Sequence, residues 1–224
     1  MAIRGVLFDF SGTLFRFEPV LDGLVGSTGY PLDGNVQAEV LRRMTAPVGR
    51  PGGLPEHLGA EWERRDLDPR MHREVYAAVL RGSGVGNPDF LYDQLLSAES
   101  WSPYPDTAAS LAAVAKAGIP TAVISNIAWD IRPVFDRWGI SEYVDDFVLS
   151  YVEGAVKPDP RLFTRACDRL GVAPPEVLMV GDSAVADGAA AELGCTVALV
   201  DPLPVEQRSR ALLDALDDHG ITGS

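Results

Sequence analysis

The strongest constraint on the fold of this chain is that its apolar runs do not alternate with polar residues. Short runs occur at residues 5–8, 119–124, 147–149, 177–180 and 196–200. A strand with one wet face alternates apolar and polar side chains, whereas one covered on both faces is apolar throughout. The segments between the runs have helical period. Residues 106–118 place Leu111, Val114 and Ala115 on one side and end at Gly118, a usual C-terminal stop. Residues 159–171 begin with Asp159 as N-cap and Pro160 in the first turn, and stop at Gly171. This βαβα rhythm predicts an α/β fold, a doubly wound parallel sheet. Ligands of such sheets bind beyond the carboxyl ends of the strands.

One long stretch breaks the rhythm. Between residue 15 and about residue 103 there is no strand pattern, but there are helical ones, for example over 71–81, with Gly and Pro punctuation at 47–55 and 82–88. The expected organisation is a core of residues 1–14 and 104–224 with an inserted α-helical cap of residues 15–103. The "GSGVG" at 82–86 follows a helical pattern, not a strand, and reads as a turn within the insertion. His72 is expected on a solvated helix face. Tyr30, Trp62 and Tyr76 are expected in the core of the insertion.

Composition limits the partners. With 46% hydrophobic and 23% charged residues in 224, the chain can bury a core without disulfide or metal staples. Its net charge of −13 repels phosphate backbones and anionic lipid, so neither nucleic acid nor membrane is an expected partner. No apolar run approaches the ~18 residues of a membrane span. Cys167 and Cys195 show no pairing or metal spacing and read as small buried hydrophobes. The first apolar run leaves no room for a signal peptide before it, so a cytoplasmic location is expected.

The polar residues that follow each run carry the chemistry. Asp9, Ser11, Gly12 and Thr13 follow the first, Ser125 and Asn126 the second, and Lys157 the third; Asp182, Ser183 and Asp187 follow the fourth. Lys157 is one of only two lysines in the chain. In a parallel sheet all four groups meet at one edge. A carboxylate cluster selects a hard cation such as Mg²⁺, which bridges protein to phosphate. Lys157 and the hydroxyls can hold phosphoryl oxygens, and Asp9 can act as a nucleophile. A separation of Asp9 from Asp182 above ~10 Å would exclude a shared cation.

The ordered set "DFSGTL", "VISN", "VKPDPRLF" and "GDSAVAD" resembles the haloacid dehalogenase-like superfamily, in the subfamily with a helical cap. The resemblance implies a Rossmann-like core and a hydrolase working through an aspartyl-phosphate on a small phosphorylated metabolite. It implies Asp9 as nucleophile, with Ser125 and Lys157 on the phosphoryl group and Thr13 and Asn126 as lesser contacts. Mg²⁺ would be held by Asp9, Asp182, Asp187 and the backbone carbonyl of Ser11.

Ser11 departs from the pattern. In the family's phosphatases this position is an Asp that protonates the leaving oxygen and then deprotonates water. A hydroxyl cannot exchange protons in that way near neutral pH, and losing a general acid–base costs ~10²–10⁴ in rate. A slow or specialised phosphohydrolase is therefore expected, with two alternatives open. One is a non-catalytic phosphate-binding homologue. The other is a metal-independent 2-haloacid dehalogenase, a branch that lacks the acid after Gly in the fourth motif; Arg42, Arg43, Arg64 or Arg65 would then grip the carboxylate. The phosphonate-cleaving branch needs a cap lysine, and residues 15–103 contain none.

Overall fold

The computed structural model describes residues 2–45, 49–52 and 54–222. Of the punctuated stretch 47–55, residues 47, 48 and 53 lie outside the described residues. The chain order is β1 (Gly5–Phe8), β2 (Phe15–Phe17), α1 (Gly34–Thr45), α2 (Gly59–Arg64), α3 (Pro69–Gly82), α4 (Pro88–Leu96), β3 (Trp101–Pro103), α5 (Thr107–Lys116), β4 (Thr121–Ser125), α6 (Arg132–Arg137), β5 (Asp146–Leu149), α7 (Ser150–Glu153), α8 (Pro160–Leu170), β6 (Val177–Gly181), β7 (Thr196–Leu199) and α9 (Ala211–Asp217).

Five strands form a parallel sheet in the order β5-β4-β1-β6-β7. The expected α/β doubly wound sheet is therefore present. β1 lies at its centre, with Phe8 opposite Val123 on one side and Val180 on the other. Strand order reverses at β1, which makes its carboxyl end the switch point where such sheets bind ligands.

Burial explains why the strands are apolar throughout. On β1, Leu7 joins Ile124, Met179 and Phe163 of α8 under one face, while Val6 and Phe8 join Leu111 of α5, Phe135 of α6 and Leu212 of α9 under the other. β7 is an edge strand and only half covered. Helix ends follow their local signals. The Asp159 carboxylate accepts the Arg161 N–H at 2.9 Å, and Gly171 closes α8 at φ +66°. Asp68 caps α3 by accepting the N–H groups of Arg70 and Met71 at 2.8 and 3.0 Å. Both cysteines are buried and free.

Several expectations need correction. The stretch 15–103 is not free of strands: β2 and β3 pair antiparallel, Phe15 opposite Pro103 and Phe17 opposite Trp101, as a ribbon that brings the two ends of the helical insertion together. Three residues are too few to leave a periodic signal, so such a strand is set by its partner. His72 is buried, not solvated, and Tyr30 is exposed while Trp62 and Tyr76 are buried. On α5, Ala115 is exposed; Thr107 and Ser110 share the buried face with Leu111 and Val114.

An aromatic cluster welds the ribbon to the sheet. Phe10 packs on Trp101 and Phe15 with ring centroids at 4.7 and 5.2 Å, and Phe135 meets Phe15 and Phe147 edge-on at 5.0 Å each. Phe135→Ala would leave a cavity shared by the ribbon, α6 and β5. Its expected cost is about 3–5 kcal/mol, read as a lowered urea-unfolding midpoint at unchanged slope.

Candidate active site

The chain beyond β1 is shaped by backbone bonds. The Asp9 N–H donates to Val180 O at 2.9 Å, which carries the β6 pairing one residue past the strand. The chain then turns sharply: the N–H groups of Leu14 and Phe15 donate to Phe10 O at 3.0 and 2.8 Å, and that of Gly12 to Phe15 O at 2.8 Å. Gly12 lies at φ +83°, and a β-carbon there would run into the Asp182 carboxylate. A β-carbon on Gly181 would run into Asp187. Both glycines let backbone approach a carboxylate that an ordinary side chain would displace.

Lys157 lies at the centre. Its ammonium donates to Asp9 Oδ1 and Asp187 Oδ1, both at 2.6 Å, and to Ile124 O at 3.1 Å. All three of these residues are buried. The Asn126 side chain fixes the Lys157 loop: its Nδ2 donates to Lys157 O at 2.8 Å and its Oδ1 accepts the Lys157 N–H at 2.6 Å. Thr13 Oγ1 donates to Asp9 Oδ2 at 3.2 Å, and the Ser183 N–H donates to Asp187 Oδ2 at 3.0 Å.

The charges do not balance within the protein. Asp9, Asp182 and Asp187 bring carboxylate oxygens within 4.8 Å of one another, far inside the 10 Å limit set above. Burial pushes the Asp9 carboxyl up to about 7; the Lys157 ammonium opposes this, and Asp187 and Asp182 add to it. Asp182 is pushed up to about 6 by burial and then by Asp187. Lys157 is held above the ordinary lysine range because Asp187 and Asp9 outweigh its own desolvation. Three ionised carboxylates and one ammonium leave two negative charges. Oxygen donors with that deficit suit one hard divalent cation, so the residues present fit Mg²⁺.

A cavity of ≈ 90 Å³ opens over these groups, lined by Asp9, Ser11, Ser125, Asn126, Lys157, Asp182 and Asp187 from the sheet edge. Ser11 and Ser125 present hydroxyls there. Thr13 is fully buried beneath Asp9 and away from the wall. The insertion contributes Arg65, Asp66, His72 and Tyr76 to the opposite side. Of the arginines named from sequence, only Arg65 lines the cavity; Arg42 pairs with Glu39, Arg43 with Glu39 and Ser83, and Arg64 is exposed. The nearly buried Arg65 guanidinium stacks on Trp62 at 4.1 Å.

Sequence reasoning missed Asp66, and it missed Arg208. Arg208 is buried, stacks on Tyr104 at 3.7 Å and donates to Thr13 O at 2.6 Å and to Gly12 O, so the turn after Asp9 is held from near the far end of the chain. Neither residue sits in a recognisable spacing, and only the folded chain brings them to the site. Gly12→Ala is expected to cost at least ~1 kcal/mol, from the left-handed backbone alone. It should also displace Asp182. The checks are urea unfolding and lower hydrolytic turnover.

Comparison with known proteins bears on the family and the fold. The model of the haloacid dehalogenase-like hydrolases matches residues 3–194. The chain is 29% identical over 214 residues to an (S)-2-haloacid dehalogenase of Xanthobacter autotrophicus, covering 94% of this chain and 80% of that one. It is 28% identical over 230 residues to a ribulose-1,5-bisphosphate 5-phosphatase of Halopiger xanaduensis, covering 96% and 94%. A crystal structure of L-2-haloacid dehalogenase from Xanthobacter autotrophicus with chloropropionic acid covalently bound superposes with a TM-score of 0.60 at 26% identity, covering 95% and 83%. Among the described residues no helix is long and apolar enough to cross a membrane.

Proposed function

The chain belongs to the haloacid dehalogenase-like hydrolases, and we propose that within them it is a Mg²⁺-dependent phosphohydrolase that cleaves a small phosphorylated metabolite through an aspartyl-phosphate on Asp9. The observation that carries this reading is the placement of Asp182 beside Asp9 and Asp187, with their oxygens within 4.8 Å. A reaction without a cation has no use for a third carboxylate there, because it only raises the cost of ionising the nucleophile.

Each residue then has a task. Asp9 attacks phosphorus, with Thr13 fixing the orientation of its carboxylate. Lys157 pairs with both Asp9 and Asp187 in the free enzyme, and with Ser125 it faces the space where phosphoryl oxygens would sit. Asn126 keeps the Lys157 backbone in place. Asp9, Asp182, Asp187 and the Ser11 carbonyl would hold the cation, which when bound cancels the repulsion between an anionic nucleophile and an anionic phosphate. The helical insertion acts as a cap that closes the cavity from water.

A second reading has its own support. The identity to the Xanthobacter dehalogenase and the single cavity-facing Arg65 favour a dehalogenase in which the guanidinium grips a 2-halocarboxylate and Asp9 attacks carbon. One assay separates the two. Phosphate release from p-nitrophenyl phosphate and a panel of phosphorylated metabolites is measured with MgCl₂ or EDTA, and chloride release from 2-chloropropionate without metal. We expect Mg²⁺-dependent phosphate release that falls by at least ~10³-fold in Asp9→Asn, as loss of a nucleophile does elsewhere. Chloride release that ignores EDTA would establish the second reading instead, and either activity surviving in Asp9→Asn would remove the nucleophile common to both.

A further inference from the structure

Asp66 is a largely buried carboxylate whose side chain is held, among the described residues, by long ion-pair contacts and by no short side-chain hydrogen bond. It lies in the turn between α2 and α3 and is only 7% exposed. Its ion-pair partners are an Arg65 Nη at 3.5 Å and His72 Nε2 at 3.7 Å, both longer than an ordinary hydrogen bond. The histidine gives it no charge: burial, then the Arg65 guanidinium, pushes His72 down to about 3, and its Nδ1 is engaged with Tyr92 Oη at 2.8 Å. A carboxylate largely withdrawn from water and held only by such long contacts is costly to ionise, and it is positioned to act on whatever fills the cavity it lines.

Its surroundings suggest which one. Asp66 lines the cavity that also holds Asp9, Ser11 and Lys157. Its main chain is tied to the sheet edge, because the Ser150 hydroxyl lies 2.7 Å from Asp66 O and accepts the Ile127 N–H at 2.8 Å. The charged and titratable groups around it are Arg65 from its own turn, His72 and Tyr76 from α3, and Lys157 from the loop after α7, and the same cavity holds the acids Asp9, Asp182 and Asp187. We infer that Asp66 is the general acid and base of this enzyme, supplied from the insertion in place of the carboxyl that Ser11 lacks, and that the substrates it serves are alkyl phosphates with poor leaving groups. This rests on the phosphohydrolase reading.

The protons balance as follows. As Asp9 Oδ bonds to phosphorus and the P–O ester bond breaks, the leaving oxygen takes the proton of the Asp66 carboxyl and departs as an alcohol. The Asp66 carboxylate then takes a proton from water as the water oxygen bonds to phosphorus. The P–O bond to Asp9 breaks, phosphate leaves, and Asp66 is protonated again. Burial raises the Asp66 carboxyl to about 6, with Arg65 and Lys157 opposing the rise, which suits a group that must both give and accept a proton near neutral pH.

The test compares wild type, Asp66→Asn, Ser11→Asp and the double variant on glycerol 1-phosphate and on p-nitrophenyl phosphate with MgCl₂. The second substrate departs without a proton. Asp66→Asn should lower kcat/KM for glycerol 1-phosphate by ~10²–10⁴-fold and for p-nitrophenyl phosphate by less than ~10-fold, the part that does not depend on acid catalysis. Ser11→Asp should raise the alkyl-phosphate rate far more in Asp66→Asn than in wild type, because the two carboxyls would share one task. Because the ratio of the two rates does not depend on the folded fraction, a partly unfolded variant still answers. Equal losses on both substrates, or equal gains from Ser11→Asp in both backgrounds, would overturn the assignment of Asp66 alone. A wild type inactive on both esters would overturn the phosphohydrolase reading, and this inference with it.

Discussion

The ion pairs of Lys157 with Asp9 and Asp187 are the contacts on which the rest of this site depends. Three carboxylates gathered at one sheet edge would repel one another and resist burial. A single ammonium, 2.6 Å from each of two of them, makes the cluster tolerable. Buried pairs of this kind are poor sources of stability, since desolvation consumes most of the Coulomb gain, but removing one partner leaves an uncompensated charge. Lys157 is thus needed for the cluster to exist as much as for what the cluster does.

The sheet order explains how residues so distant in sequence reach one point. β1 lies between β4 and β6, and β5 lies next to β4. The four strands that carry the polar groups are therefore adjacent, and because all run parallel their carboxyl ends share an edge. Helices on both faces, packed on Leu7 from one side and on Val6 and Phe8 from the other, leave that edge as the place where loops emerge. The two glycines then set the fine spacing, by letting main chain pass where β-carbons would push Asp182 and Asp187 away.

The insertion completes the cavity with residues of a different character. Arg65, Asp66, His72 and Tyr76 are polar or titratable groups held out of water by Trp62, Tyr92 and their neighbours. Such a wall is costly to build, and stability given up in a closed pocket is common where a fold serves chemistry. The Ser150 link to Asp66 O joins this wall to the sheet, so the two halves of the cavity are mechanically connected.

The sequence by itself determined the sheet and the list of residues at its edge, because those signals are local. A strand covered on both faces must be apolar throughout, a helix must start and stop at residues such as Asp159 and Gly171, and a polar residue after a buried strand is read directly. That Thr13 lies beneath Asp9 and Asn126 is pledged to the Lys157 backbone could not be read in this way, since side-chain partners depend on loop paths. The β2–β3 ribbon was invisible because a three-residue strand has no period of its own. His72, Asp66 and Arg208 were misjudged or missed for a related reason. Burial of a charged or titratable group depends on what packs over it, and those neighbours come from elements that only the tertiary fold brings together.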